Sequence, residues 1–250
     1  MKTCPYPIPS ARGRVKMAGL VDRILIVIPT FRECENLKII VPELFEQVPG
    51  THILIVDDNS DDGTTQLISD FQGVHDRAIK MISRSNDPSY AKSLLEGLNS
   101  GIQNGYSTII QMDADRSHAP KDVVRMLNAN GDVVIGSRYL RNSKVRDVPW
   151  KRRLYSILGN LYISILWKST LRDKTNGFRL YRGHALENLP KFNVTSLGFA
   201  VQIQTLNMLR KDKRILIKEI PIEFASRQLG ESKFDLHKLF EAICATTSRR

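Results

Sequence analysis

The chain of 250 residues carries 37 Lys and Arg against 26 Asp and Glu, a formal charge of +11, and is 42% hydrophobic. That apolar content excludes wholesale disorder and suits an α/β domain of ordinary size, while the basic excess favours anionic partners: nucleic acid, phosphorylated substrates or an acidic membrane surface. Three widely spaced cysteines, Cys4, Cys34 and Cys244, form no Cys-x-x-Cys pattern, which excludes a disulfide framework and a structural zinc site.

Residues 1–22 hold Pro5, Pro7 and Pro9 with several basic residues and no apolar core, so they read as a flexible basic arm and not as a secretory signal. Arg23-Ile-Leu-Ile-Val-Ile-Pro29 is a continuous apolar run stopped by proline, the pattern of a strand buried on both faces. Leu37, Ile40, Val41 and Leu44 then mark one face of a helix. His52-Ile-Leu-Ile-Val-Asp57 repeats the buried-strand pattern and runs through the acidic turn Asp57-Asp-Asn-Ser-Asp-Asp-Gly63 into a second helix. Further strands are expected at 78–83, 107–112 and 132–136, with helices at 91–102 and 121–128 between them. This alternation predicts a doubly wound, mostly parallel sheet flanked by helices. The right-handed crossover rule then gathers the strand ends along one edge.

The second half has a different texture. Residues 149–168 predict one or two helices that mix Arg152, Arg153 and Lys168 with Leu, Ile, Tyr and Trp, a composition suited to a membrane interface. No run reaches the roughly 18 apolar residues of a membrane span. Strand-like sequence follows at 178–182 and 215–224, and helical sequence at 196–209 and 234–245. Without repeats or a linker, residues 23–250 read as a single domain.

Three of the strand ends carry acid: Glu33 in Pro29-Thr-Phe-Arg-Glu33, the pair Asp57-Asp58, and Asp113-Ala-Asp115. Carboxylates at the carboxyl ends of strands sit where open α/β sheets bind ligands. Asp113 and Asp115 can offer hard oxygen ligands to Mg²⁺ or Mn²⁺, with the metal bridging to a diphosphate. Glu33 and Asp57 or Asp58 can accept hydrogen bonds from a ribose and a base. The structural alternative for these acids is turn formation and helix capping, which Ser60, Asp61 and Asp62 can also supply. His118, close to the acid pair, reads as a surface or capping histidine. The P-loop, dinucleotide and nucleophile-elbow fingerprints are all missing. A nucleic-acid-binding module would account for the charge but not for acidic loops, which repel phosphate, so nucleic acid is not an expected partner.

Pro29-Thr-Phe-Arg-Glu-Cys-Glu-Asn-Leu37, Val56-Asp-Asp-Asn-Ser-Asp-Asp-Gly-Thr64 and Met112-Asp-Ala-Asp-Arg-Ser-His-Ala-Pro120 together resemble the dolichol-phosphate (polyprenyl-phosphate) mannose synthases, inverting glycosyltransferases of the GT-A, Rossmann-like fold. The similarity continues through Ile135-Gly-Ser-Arg-Tyr139, Asp173-Lys-Thr-Asn-Gly-Phe-Arg179, Gly198-Phe-Ala-Val-Gln202, Glu219-Ile-Pro-Ile-Glu-Phe224 and Gly230-Glu-Ser-Lys233, and covers about residues 24–233.

The resemblance implies transfer of a sugar, mannose from GDP-mannose first, to a polyprenyl (dolichyl-type) monophosphate with inversion. Another nucleotide sugar such as UDP-glucose, or a saccharide or protein acceptor, is the alternative. It implies that Pro29, Phe31, Glu33, Asp57, Asp58, Ala114 and Arg179 line the nucleotide-sugar site along with Asp113 and Asp115. Arg138, Arg152 and Ser156 match acceptor-phosphate positions, and Lys233 a mobile-loop lysine near the phosphates. It further implies a peripheral protein on the cytoplasmic face of an anionic membrane, and leaves room for a membrane-spanning partner subunit. The sequence departs from the family pattern at Ser89-Tyr-Ala91 (usually Gly-Leu-Gly), Gln202-Ile-Gln204 (Gln-x-Glu), Phe31 (Tyr) and Thr175-Asn-Gly177 (Thr-Ser-Gly or Thr-Gly-Ser).

Overall fold

The structure is a computed structural model that describes residues 23–85, 88–191, 198 and 200–226. The basic arm, Lys233 with its Gly230-Glu-Ser-Lys233 motif, and the helix expected at 234–245 lie outside the described residues. The chain opens as β1 (Ile24–Thr30), α1 (Cys34–Gln47), β2 (His52–Asp57), α2 (Thr64–His75), β3 (Ile79–Ser83), α3 (Tyr90–Gln103), β4 (Thr108–Gln111), α4 (Pro120–Asn128) and β5 (Val133–Ser137). It continues as β6 (Lys144–Arg146), α5 (Trp150–Trp167), β7 (Arg179–Arg182), α6 (His184–Asn188), α7 (Ala200–Leu209), β8 (Ile217–Pro221) and β9 (Glu223–Ala225).

Seven strands form one sheet in the order β3-β2-β1-β4-β7-β5-β8. All seven residues of β1 are buried because the strand is covered on both faces. Ile24, Ile26 and Ile28 pack with Leu37 and Ile40 of α1, Ile68 of α2 and Val123 of α4. Leu25 and Val27 alternate to the other face, against Leu94 of α3, Ile163 of α5 and Val201 of α7. Gly97 lets α3 lie directly on the sheet: a Cβ there would stand 2.3 Å from Val27 Cγ1.

Two features of this topology build the site. The chain winds outward from β1 to β3, then returns to place β4 on the other side of β1, in parallel register with it. That reversal opens a crevice at the carboxyl ends of β1 and β4, and Asp113-Ala-Asp115 begins two residues beyond β4. Second, β7 runs antiparallel between β4 and β5, with Arg179 opposite Gln111. An antiparallel strand enters where its parallel neighbours leave. The segment 173–178 leading into β7 therefore arrives at the same edge as the loops leaving β4 and β5. A small parallel pair, β6 with β9, adjoins the loop after β4, where Ala225 N–H donates to the Ser117 carbonyl at 3.1 Å.

Candidate active site

The loops after β1 and β2 are bound to each other. The backbone N–H of Arg32 donates to Ser60 Oγ at 2.7 Å, and the Arg32 guanidinium pairs with Asp61 on the surface. Both oxygens of Asp57 accept from Ser60, one from its N–H at 2.8 Å and one from its hydroxyl at 2.6 Å. Asp58 pairs with Arg84, both nearly buried, and its second oxygen accepts from Ser89 N–H at 2.8 Å. Asp62 takes the capping role at α2, accepting from the N–H and hydroxyl of Thr64 and from Cys34 N–H. Glu33 precedes α1 and accepts from the Asn36 amide at 2.7 Å. Pro29 is buried at the end of β1, and Phe31 is half-buried with the Arg32 guanidinium 5.3 Å from its ring. These acids thus have protein partners as well as a place on the ligand edge, and the turn-forming reading accounts for much of what Asp57 and Asp62 do.

The loop after β4 is different. Asp113 and Asp115 line a pocket together with Arg138, Tyr139, Arg152, Arg153 and Ser156, and its walls include Val145, Val148 and Phe224. Two carboxylates and three guanidiniums from separate parts of the sequence therefore meet in one cavity. Arg138, immediately after β5, gives its side-chain hydrogen bonds to groups other than the two acids, while its charge works against the burial that raises the Asp113 carboxyl. Its Nε donates to Asp173 Oδ2 at 2.7 Å and its Nη2 to Asp173 Oδ1 at 2.8 Å, a fork-to-fork ion pair with a fully buried carboxylate. Nη2 also reaches Thr175 Oγ1 at 2.8 Å and Ser156 Oγ at 3.5 Å. Asp173 is held in turn because its own N–H and that of Arg172 donate to the two oxygens of Glu219 on β8, each at 2.8 Å.

The electrostatics follow from burial. It pushes the Asp113 carboxyl above the ordinary range, and the charge of Asp115 adds to the shift. Burial also opposes charge on Asp173, but the Arg138 charge and hydrogen bonds together outweigh it and hold this carboxyl below the usual value. Arg152 is lowered by burial and then by the neighbouring Arg138 charge. Arg138 is shifted the other way, its burial outweighed by the charge of Asp173, and with Arg153 three cations face one cavity.

Residues 25–189 match the family described as glycosyl transferase family 2. The chain belongs to that family. It is 36% identical over 225 residues to polyprenol monophosphomannose synthase of Mycolicibacterium smegmatis, covering 89% of this chain and 84% of the relative. Undecaprenyl-phosphate mannosyltransferase of Micrococcus luteus is 35% identical over 228 residues, 90% of this chain and 93% of that one. Among solved structures, glucosyl-3-phosphoglycerate synthase of Mycobacterium tuberculosis, with Mn²⁺, UDP-glucose and phosphoglyceric acid, superposes with a TM-score of 0.64 at 14% identity, over 91% of this chain and 80% of that one. A mannosyltransferase of Pyrobaculum calidifontis, with GDP-Man and Mn²⁺, gives a TM-score of 0.53 at 14% identity, over 84% and 58%. These structures share the fold, the mixed α/β sheet of the GT-A type that the sequence resemblance anticipated.

Within this family-2 site the Asp113–Asp115 pair suits a hard divalent cation. Among the described residues no third His, Cys, Asp or Glu joins it. A Mg²⁺- or Mn²⁺-sized ion commonly takes one or two carboxylates and completes its shell with phosphate and water, so two carboxylates beside three arginines fit. Asp115 Oδ1 accepts from Ser117 N–H at 3.0 Å, which sets its orientation. Ala114 is turned the other way, 3% exposed and packed in the core beneath the loop, so it has no side chain to offer a ligand.

Two expectations need correcting. Arg179, expected in the nucleotide-sugar site, turns its guanidinium into the protein. It is fully buried, and its guanidinium donates to three carbonyls, those of Lys174, Asn176 and Gln202, at 2.7 to 2.9 Å. Carbonyl oxygens converging on one guanidinium replace an anion, and they make Arg179 the brace of the segment 174–178. His118 is not at the surface. It is 1% exposed, stacked on Phe178 with centroids 4.7 Å apart. Its Nδ1 accepts from Asp113 N–H at 3.3 Å, which leaves Nε2 as the protonated nitrogen 3.1 Å from Asn176 Oδ1. Asp173, Asn176, Tyr139 and Tyr90 went unassigned in the sequence reading because their roles lie in partners tens of residues away.

The segment 149–168 holds the single helix α5, preceded by Pro149 and ended by Lys168 in the left-handed region (φ 49°). Its Asn160 and Ser164 face inward, while Lys151 and Arg153 are exposed. Asn160 donates to Thr175 Oγ1 at 3.1 Å and accepts from Lys174 N–H at 2.6 Å. The buried Lys174 ammonium donates to Ser164 Oγ at 2.6 Å. Nine of the twelve exposed large hydrophobic residues among those described lie on this helix, including Trp150 at 70% and Ile165 at 68%. The helix is amphipathic with its apolar side outward.

Asp173→Ala removes the counter-ion of a buried Arg138 and is expected to cost about 3–5 kcal/mol of stability at neutral pH, read from urea unfolding. A carboxyl whose folded pKa is depressed contributes fully above its unfolded value and loses that contribution as pH falls through the folded one. The gap between wild type and variant should therefore narrow below about pH 4; a gap independent of pH would contradict the pairing.

Proposed function

We propose that the chain transfers mannose from GDP-mannose to a polyprenyl monophosphate, giving a polyprenyl-phosphate sugar. The observation that carries this reading is the single pocket shared by Asp113 and Asp115 with Arg138, Arg152 and Ser156. A nucleotide-sugar donor brings a diphosphate and the acceptor brings a second phosphate, and the pocket has a group of residues suited to each. The names of the two mannosyl-transferring relatives at 35% and 36% identity, which specify polyprenyl and undecaprenyl-phosphate chemistry, support the same substrates.

In this reading Asp113 and Asp115 hold a Mg²⁺ or Mn²⁺ ion, which when bound supplies positive charge against the leaving diphosphate. Arg138, kept rigid by Asp173, and Arg152 hold the acceptor phosphate with Ser156 between them. An acceptor oxygen attacks the anomeric carbon, the bond from that carbon to the diphosphate oxygen breaks, and its electron pair leaves with the nucleoside diphosphate. The acceptor is already ionised, so no residue need remove a proton. This agrees with a pocket whose described carboxylates are Asp113 and Asp115 alone. A hydroxyl acceptor would want a further base. Direct attack inverts the configuration at the anomeric carbon, and no covalent sugar–protein intermediate is needed.

The lipid tail stays in the bilayer while its phosphate enters the pocket. Arg152 and Ser156 lie on the inner side of α5, whose outer side is the apolar surface. The helix can thus rest in the interface of the cytoplasmic leaflet and present the phosphate to the pocket beneath it. Among the described residues no helix is long and apolar enough to cross a membrane. The +11 charge adds attraction to anionic lipid.

With labelled GDP-mannose and polyprenyl phosphate in vesicles, Asp115→Ala should abolish transfer, as should a chelator in the wild type. Arg138→Ala should raise the KM for polyprenyl phosphate about tenfold or more, with a smaller change in the KM for donor, as expected when a charged hydrogen-bonding partner is removed. Wild-type transfer by Asp115→Ala in the presence of chelator would refute the metal assignment. Leu158→Glu with Ile165→Glu should lower co-sedimentation with anionic vesicles by about tenfold or more, each substitution removing a side chain worth roughly 1.5–3 kcal/mol of burial. Undiminished vesicle binding would show that α5 is not the docking face.

A further inference from the structure

Tyr90 stands where the resemblance would have a leucine, and it is the point on which four parts of the site converge. It is the first residue of α3, positioned by Ser89, whose Oγ accepts from Lys92 N–H. Its hydroxyl lies 2.9 Å from Asp113 Oδ1, 3.2 Å from Gln111 Nε2 on β4 and 3.1 Å from Gln202 Nε2 on α7. The phenol oxygen has one proton and two lone pairs. Both amide nitrogens can only donate, so they occupy the lone pairs and the proton is directed to Asp113. Gln111 is itself oriented, because its Oε1 accepts from Tyr181 Oη at 3.3 Å. Chains of this kind polarise one another in a buried setting.

The loop before β7 presses on the same point. A Cβ at Gly177 would stand 2.9 Å from Tyr90 Oη and 3.3 Å from Gln202 Nε2. Asp113 is thus held from two sides: Tyr90 takes Oδ1, while His118 accepts from its backbone N–H. Among the described residues Oδ2 of Asp113 accepts no hydrogen bond. Tyr90 is not a wall of the pocket that Asp113 lines; it sits behind the carboxylate.

We propose that Tyr90 is a positioning residue for the metal-binding carboxylate, its hydroxyl fixing Asp113 Oδ1 so that Oδ2 is presented to the cation. This rests on the reading of Asp113 and Asp115 as the metal pair. It supplies from α3 a hydrogen bond that leucine could not make. Donors that orient a ligating carboxylate typically change metal affinity by about 10- to 100-fold when removed.

The test is a titration of Mn²⁺ into the full-length protein with GDP, and separately with UDP, present, following free Mn²⁺ by its electron paramagnetic resonance signal. Wild type, Tyr90→Phe, Asp113→Asn and Asp115→Ala are compared under whichever nucleotide the wild type binds more tightly. Tyr90→Phe should raise the Mn²⁺ Kd about tenfold and the Mn²⁺ concentration for half-maximal transfer by the same factor, while kcat at saturating Mn²⁺ stays within about threefold. A merely structural tyrosine would lower kcat at every Mn²⁺ concentration and leave the Kd alone. An unchanged Kd in Tyr90→Phe, with binding lost in Asp115→Ala, overturns the role of Tyr90 and spares the metal site. Wild-type Mn²⁺ binding in both aspartate variants overturns the site itself. Should Tyr90→Phe fail to fold, Gln202→Leu keeps the hydroxyl and removes one of its two donors. It should weaken Mn²⁺ binding in the same direction by about threefold, and no change would overturn the proposal.

Discussion

The buried pairing of Arg138 with Asp173 is the interaction on which the rest of the site depends. A pocket that gathers carboxylates and guanidiniums tends to collapse into ion pairs, which would leave nothing for a substrate. Here Asp173, outside the pocket wall, takes the fork of Arg138, so the guanidinium makes its ion pair there and not with Asp113 or Asp115. The pair is costly to bury and is worth its cost only with good geometry and further hydrogen bonds. Thr175, Ser156 and the backbone of Asn176 supply those bonds, and Glu219 anchors the segment that carries Asp173.

That pairing in turn depends on topology. Arg138 leaves β5 in the parallel sense, and Asp173 precedes β7, which runs the other way, so both arrive at one edge. An all-parallel sheet would have delivered the segment 173–178 to the opposite edge. The same segment reaches Asn160 on α5, His118 below Asp113, and Tyr90 through Gly177. One short loop therefore connects the helix proposed to meet the membrane with the carboxylates proposed to hold the metal.

Much of the frame was legible in the sequence. The strand 52–57 was expected with the bounds it has, and β1, β3 and β5 lie within a residue of expectation, because strands buried on both faces are written as unbroken apolar runs. Asp113-Ala-Asp115 could be placed for the same reason, at the end of such a run. The antiparallel sense of β7 could not be read, since Arg179-Leu-Tyr-Arg182 carries strand propensity but no mark of its partners. The three-residue strand β6, largely exposed, has no apolar signature at all.

The side chains were legible to different degrees. Arg138, Arg152 and Ser156 were brought forward by motif, and the pocket gathers them. Arg179 was misjudged because a guanidinium satisfied by carbonyls is indistinguishable in sequence from one awaiting phosphate. Tyr90 was visible only as a departure from a glycine-rich pattern. Its meaning lay in Gln111, Asp113 and Gln202, 21, 23 and 112 positions away.

The most direct test of direct attack by the acceptor phosphate is the anomeric configuration of the lipid product. Product made from GDP-α-mannose and polyprenyl phosphate should show the β-linked sugar phosphate by one-bond carbon–proton coupling at the anomeric centre. An α-linked product would mean retention, which a single attack from the face opposite the leaving diphosphate cannot give, and would contradict the account.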